Sequence, residues 1–324
     1  MSAREALFEH TGRDDIILPF QIDPYGVRGR LIRLGPVVDG ILGRHDYPEA
    51  VAAMLCETMA LAACLAGALK YEGIFTLQTK GDGPIGTLMA DITSDGEMRA
   101  YARYDAERLA AVDPAAVAER SVPRLLGGGY IAFTVDQGAN TDRYQGIVEL
   151  EGRTLSECTH SYFRNSEQLE AGVLLAAGQV ATADGPAWRA GALMIQRLPY
   201  QRDLPGRPSE DEYDENWRTA MTLMSSGTVA ELLSDELSPD RLLFRLFHSE
   251  GVRAFQAQPV TDACRCSNTR VERVLRALSA DELDELKQDE DGDVVVVCEF
   301  CKREWRYDDA ALAGLRDSEA VPSF

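Results

Sequence analysis

Four cysteines near the end of the chain carry the residue types and spacing best suited to chemistry. Cys264 and Cys266 form a CxC pair, a 31-residue interval follows, and Cys298 and Cys301 form a CxxC pair. Two close pairs of soft sulfur ligands suit a tetrahedral zinc ion, which takes four thiolates at short, fixed range. Each pair acts as one clip. Because the entropy of loop closure grows only logarithmically with length, two distant clips can share one ion. The tight CxC clip leaves two readings open. One is a closed structural zinc site; the other is a redox switch, in which oxidation joins neighbouring sulfurs, ejects the metal and unfolds the segment around it.

The rest of the chain must position those thiols. Its 324 residues are 45% hydrophobic and 27% charged, an ordinary globular composition with room for two or more domains. The net charge of −20 argues against nucleic acid as a partner, since phosphate binding needs clustered Lys and Arg. Residues 1–15 show no apolar stretch behind basic residues, and no run approaches eighteen uninterrupted apolar positions. No membrane association is therefore expected, and a cytoplasmic location is. In that compartment thiols stay reduced, so a metal is expected at rest rather than a disulfide. Cys56, Cys64 and Cys158 lie in helical patterns and read as small buried side chains.

Residues 16–34 read as two strands around an Asp-Pro and Gly turn. After Pro48 comes a helix apolar on every face, with Gly73 offering a stop; such a helix must be buried. The runs at 74–80, 86–93 and 97–104 form an antiparallel meander packed on it. A helical stretch around 106–120, strands at 130–136 and 143–150 bracketing a turn near Asn140, and a helix from about Thr154 to Gln168 follow. Strands at 172–181 and 187–199, joined by an Asp184-Gly185-Pro186 turn, close the domain.

Three local patterns imitate active sites. Gly81, Gly83 and Gly86 spell GxGxxG, but β-patterned residues follow where a phosphate-binding helix would have to begin. Gly127–Gly129 reads as a flexible lead into a strand rather than an oxyanion loop. Ser156, Glu157 and His160 sit at ordinary helical spacing with no nucleophile elbow, so a polar helix face is the better reading.

Composition changes at Pro205. From Asp203 to Glu250 there are 11 acidic and 4 basic residues, with helix starts at Ser209 with Glu212, Thr228 with Glu231, and Ser238 before Pro239. The apolar stripes in this segment (Met221, Leu223, Met224; Leu232, Leu233; Leu242, Leu243, Leu246, Phe247) need something to dock on, because the carboxylates repel one another. Beyond it lie an amphipathic helix at 269–278, a capping box at Ser279 and Glu282, and two strands on either side of Cys298 and Cys301. The expected fold is α+β: a core domain of mainly antiparallel strands packed with a long buried helix (residues 1–202), a helical linker (203–258), and a small C-terminal zinc-binding module (259–324).

CxCSxxRV from Cys264 and CEFC from Cys298, the latter followed by Trp305, Tyr307 and Asp308, resemble the C-terminal zinc centre of the bacterial redox-regulated holdase chaperones, the 33-kilodalton heat-shock protein family. The likeness extends to RGRLIRLG (28–35), RHDYPEAVAAML (44–55), LQTKGDGPIGTLMAD (77–91), RYQGIVELEG (143–152) and YFRNSEQLE (162–170), in the family's order. The resemblance implies a client-binding core, a metastable linker, and zinc held by Cys264, Cys266, Cys298 and Cys301. It further implies redox-active disulfides on oxidation, Cys264 with Cys266 and Cys298 with Cys301, a monomer when reduced and a homodimer when oxidised. The chain departs from the family pattern in its acidic linker start at 210–215 and in Cys56, Cys64 and Cys158.

The function this implies is an ATP-independent holdase for unfolded client proteins, not an enzyme: zinc-bound and inactive when reduced, active after disulfide formation and zinc release. A thiol-disulfide oxidoreductase using Cys298 and Cys301 is a second class, although such motifs sit at helix starts and CEFC joins two strand-like runs. A constitutive binding protein with a structural zinc ribbon is a third. A module of about sixty residues buries too little apolar surface to be comfortable alone. Structural zinc contributes ~10 to 16 kcal/mol in small zinc peptides, so its loss should unfold the module. Arg265, Lys302 and Arg303 flank the clips and either ease the negative charge of a four-thiolate centre or are ordinary surface residues.

Overall fold

The structure is a computed structural model and describes residues 14–138, 143–163, 170–200, 208–287 and 292–317. The chain divides into two compact units between Asp262 and Ala263.

The first unit opens with β1 (Ile16–Ile22) and β2 (Val27–Leu34), antiparallel from Ile16 opposite Arg33 to Ile22 opposite Val27. The expected Asp-Pro turn is a short 3-10 helix over Asp23–Tyr25, closed by Gly26 at φ 60°. Helix α1 (Pro36–Leu42), which periodicity did not separate, starts under Asp15, whose Oδ1 accepts the amides of Gly35 at 2.9 Å and Val37 at 3.2 Å. The long apolar helix α2 (Glu49–Ala66) follows. It stops at Gly67 rather than at Gly73, because Arg30 donates to the Gly67 carbonyl at 2.5 Å and satisfies the negative helix end.

Two six-stranded sheets enclose α2. The meander β3 (Ile74–Gly81), β4 (Ile85–Thr93) and β5 (Glu97–Tyr104) forms as expected, and β6 (Gly129–Asp136) and β7 (Tyr144–Glu149) extend it beyond β3. The turn near Asn140 lies outside the described residues. Strands β8 (Ala171–Thr182) and β9 (Gly185–Arg197) complete the other sheet beside β2. The stretch around 106–120 is broken into α3 (Ala106–Ala110) and α4 (Pro114–Ala118), with α5 (Val122–Leu125) following; Asp105 and Asp113 cap the first two, and Pro114 and Pro123 restart the chain. Helix α6 (Leu155–Tyr162) is capped by Thr154; residues 164–169, its expected continuation, lie outside the described residues. By length and composition α2 is apolar enough to cross a membrane, yet 89% of it is buried within the fold.

The sheet of β1, β2, β9 and β8 is buried on both faces. Ile17, Ile32, Leu34, Ala192 and Met194 meet α2 on one side. Ile16, Leu18, Phe20, Ile22, Leu31, Leu193 and Ile195 face the other way. That second face is covered by α7 (Glu210–Ser225), α8 (Val229–Leu233) and α9 (Pro239–Phe247), through Ala220, Met224, Leu232, Leu233, Leu242, Leu243, Leu246 and Phe247. The capping boxes at Ser209 with Glu212 and Thr228 with Glu231 are both formed. The acidic stretch at the start of α7 is not all surface: Tyr213 is 2% exposed and donates to the Leu198 carbonyl at 2.6 Å. Phe20 stacks on Phe247 with centroids 5.8 Å apart, and Gly29 makes room for it, since a Cβ there would lie 2.1 Å from the Phe20 ring.

Arg33 is the polar exception on that face. It is fully buried and donates to the carbonyls of Glu231 at 2.8 Å, Ser234 at 2.6 Å and Leu237, closing the C-terminal end of α8. Burial lowers its pKa to about 10, still well above neutrality, so the guanidinium stays charged. Arg30 on the opposite face does the same for α2. One strand thus anchors a helix terminus on each side.

Truncating a well-packed buried Phe costs roughly 3 to 5 kcal/mol. Phe247→Ala is expected to lose about that much stability, with hydrogen-exchange protection lost first over 210–247. Equal loss in β3, β4 and β6 would show that these helices are no separate layer.

Candidate metal centre

The second unit is built on a small core of Leu275, Leu283, Val294, Tyr307 and Leu312. Helix α10 (Asn268–Arg276) begins at Ser267, whose hydroxyl accepts the Arg270 amide at 3.3 Å. Helix α11 (Ala280–Glu285) carries the Ser279 and Glu282 capping box. Strands β13 (Val294–Val297) and β14 (Glu304–Tyr307) form a hairpin with Val294 opposite Tyr307, and α12 (Asp309–Asp317) follows. Tyr307 donates to Asn268 Oδ1 at 2.7 Å, tying the hairpin to the start of α10.

Both clips are positioned by local geometry. The CxxC clip occupies the hairpin turn: the Cys298 amide donates to the Arg303 carbonyl, and the Lys302 amide to the Cys298 carbonyl, each at 2.9 Å. Lys302 takes a left-handed φ of 57° to close it. The amides of Phe300 and Cys301 point at the Cys298 sulfur. The CxC clip stands just before Ser267, and the Cys266 amide points at the Cys264 sulfur. Oriented amides of this kind favour the anionic sulfur a metal requires.

All four sulfurs converge. The ligand atoms of Cys264, Cys266, Cys298 and Cys301 lie within 4.8 Å of one another, and all four residues are half-buried. Sulfurs about 2.3 Å from a central zinc stand about 3.8 Å apart. Cys264 Sγ is 3.7 Å from Cys298 Sγ, and Cys266 Sγ is 3.4 Å from Cys301 Sγ. These contacts run between the clips, as one shared ion requires. The donor set therefore fits a tetrahedral thiolate metal. Burial raises the Cys264 pKa, but the Cys266 amide and the neighbouring thiols outweigh it and bring it to about 7. Burial pushes Cys298 and Cys266 up, and neighbouring thiols add to the shift. Lys302 and Arg303 are exposed, and the Arg265 carbonyl accepts from Arg270 at 2.8 Å.

The other candidate residues find structural uses. Glycines 81, 83 and 127 pack backbone on backbone: a Cβ on Gly81 would lie 2.0 Å from the Leu126 carbonyl oxygen, and Gly127 has φ 74°. Asp82 Oδ1 accepts the Gly128 amide at 2.8 Å, and β4 follows the loop, so no helix start faces it. His160 Nε2 accepts the Val173 amide at 2.9 Å, which commits that imidazole to β8. Cys56, Cys64 and Cys158 are fully buried, and burial raises all three thiols, Cys64 to about 12 and Cys158 to about 11. Arg33 was missed. Its only signal was a basic residue inside an apolar strand.

Two mainly antiparallel sheets around a buried helix, with a separate four-thiolate unit, define an α+β protein carrying a metal-type cysteine centre. A family profile described as Hsp33 protein matches residues 15–308, and the chain belongs to that family, a family of chaperones. It is 40% identical to a 33 kDa chaperonin of Caulobacter vibrioides over 91% of this chain and 95% of the relative. It is 37% identical to a 33 kDa chaperonin of Ectopseudomonas mendocina over 93% and 95%. A solved Hsp33 homologue from Thermotoga maritima superimposes with a TM-score of 0.72, at 22% identity, over 94% of this chain and 99% of that one, and shares the fold.

Thiol reactivity checks this partition. In native protein stripped of metal, the four half-buried cysteines should react with a thiol reagent, while Cys56, Cys64 and Cys158 should react only after denaturation. A fifth reactive thiol in folded protein would break the assignment.

Proposed function

We propose that this chain is an ATP-independent holdase, off while zinc is held by Cys264, Cys266, Cys298 and Cys301 and on once those thiols are oxidised. The observation that carries the reading is the convergence of four sulfurs in a unit whose buried core, among the described residues, is five side chains. A core that small leans on its metal, since bound zinc contributes ~10 to 16 kcal/mol in comparable peptides. Oxidation of four thiolates to two disulfides gives four electrons to two equivalents of a two-electron oxidant such as a peroxide and leaves no thiolate to hold zinc. The expected pairs remain Cys264 with Cys266 and Cys298 with Cys301. The cross-clip contacts exist only while the unit is folded, whereas partners two or three residues apart stay close after it opens.

Residues 203–258 act in this reading as a metastable linker between a core at 1–202 and the module at 259–324. Their release uncovers Leu18, Phe20, Leu31 and Ile195 for unfolded clients. The protein is expected to work in the cytoplasm, as a monomer when reduced and a homodimer when oxidised, without nucleic acid or membrane. Oxidoreductase chemistry is disfavoured by the site itself: CEFC lies in a hairpin turn between β13 and β14, not at a helix start.

Titrating the reduced, zinc-loaded protein with peroxide tests the switch. One zinc per chain should leave as aggregation suppression appears, and Cys264→Ser should weaken zinc retention by at least about tenfold. Suppression that appears with zinc still bound leaves a structural zinc ribbon in a constitutive binding protein.

A further inference from the structure

The last eleven residues of the first unit form a strap along the edges of both sheets. Strand β10 (Val252–Ala254) pairs antiparallel with β1, from Phe20 opposite Ala254 to Ile22 opposite Val252. Strand β11 (Gln258–Pro259) pairs with the other end of β1, and β12 (Thr261–Asp262) runs parallel to β5. Between the strands, the Phe255 amide donates to the Pro19 carbonyl at 2.9 Å, the Val260 amide to Asp15 at 2.7 Å, and the Thr261 amide to Gly96 at 2.9 Å. Without the strap, β1 would be the edge of its sheet.

The strap is held by backbone bonds far more than by side chains. Of residues 252–262 only Val260 is buried. Arg44 with Asp262 at 2.5 Å and Arg253 with Asp23 at 3.2 Å add partly exposed ion pairs, of the kind worth little each. Beneath it lies IILPFQI, an apolar strand whose edge is the sort that templates pairing with another chain when left open. Residues 15, 17, 19 and 21 turn their backbone groups outward, as the bonds from Phe255 and Val260 show. Pro19, which has no amide hydrogen, falls on this outward side. The outward row therefore carries a carbonyl at each of the four positions but lacks a donor at Pro19. Cys264 follows two residues after the strap.

We propose that the β1 edge is a second client-binding surface, taken by an extended segment of an unfolded protein that adds as an antiparallel strand in the place of β10 and β11. The inference rests on the switched holdase reading and specifies how a client is gripped. Recognition is through the client's backbone groups, so it tolerates many sequences, while Leu18, Phe20 and Ile22 beside the edge favour apolar residues at alternate positions. The strap is the internal occupant that keeps the edge closed. Its grip by ladder bonds lets it leave once the segments on either side of it lose their order.

A labelled peptide of residues 251–262, added to the oxidised full-length protein, is the probe. It should bind oxidised but not reduced zinc-loaded protein, and it should lower aggregation suppression as it saturates. N-methylation at the Phe255 amide, which points at β1, should weaken binding about tenfold. N-methylation at the Ala254 amide, which alternates to the far side, should not. Equal binding by the two methylated peptides, or saturation that leaves aggregation suppression intact, overturns strand addition while the chaperone reading stands. An oxidised protein that suppresses no aggregation overturns both.

Discussion

Everything in the first unit depends on one sheet with two apolar faces. The strands β1, β2, β9 and β8 alternate large apolar side chains to both sides, so each face needs a cover. Helix α2 covers one and is itself wrapped by the second sheet, which explains why it is apolar all round. Helices α7, α8 and α9 cover the other, and their outer sides are solvated and acidic. The two covers differ in what removing them would entail. Displacing α2 would open both sheets at once, whereas displacing the outer helices would uncover one face and leave the sandwich beneath intact.

The polar contacts mark the same division. Arg30 and Arg33, on opposite faces of β2, each satisfy carbonyls at a helix end. Around the outer helices the remaining ion pairs are partly exposed, such as Arg197 with Asp214, and Arg245 with Glu231 at 2.5 Å, and pairs of that kind add little net stability. Docking of the outer helices therefore rests on the apolar face, on Arg33 and on the buried Tyr213. Desolvating that guanidinium is costly, and the three carbonyls of the α8 to α9 segment, with the nearby carboxylates of Asp14, Asp235 and Asp240, offset it.

Local signals in the sequence were legible and long-range ones were not. The three capping boxes, the meander, the β8 to β9 hairpin and the buried helix each follow from residues a few positions apart. The convergence of four thiols was legible because zinc chemistry links spacing to geometry. The helix stop at Gly67 depends on Arg30, 37 positions away, and the Arg33 contacts span 198 to 204 positions, so neither leaves a local pattern. The strap pairs in runs of two or three residues, too short for any period. Tyr213 was hidden for the opposite reason, as one buried aromatic inside an acidic run.

The cysteines show how environment rather than residue type places the chemistry. Cys56, Cys64 and Cys158 sit among packed side chains, where burial holds them as thiols and excludes oxidants. Cys264, Cys266, Cys298 and Cys301 stand half-exposed on turns whose amides point at sulfur, in a unit with little else to stabilise it. Convergence of the sulfurs, access and dependence of the fold on the ligand coincide at those four positions alone among the described cysteines. A centre of that kind in the large unit could lose its metal with little structural effect, because two sheets and α2 would remain. Placed in the small unit, the same four sulfurs turn a change of oxidation state into a change of fold.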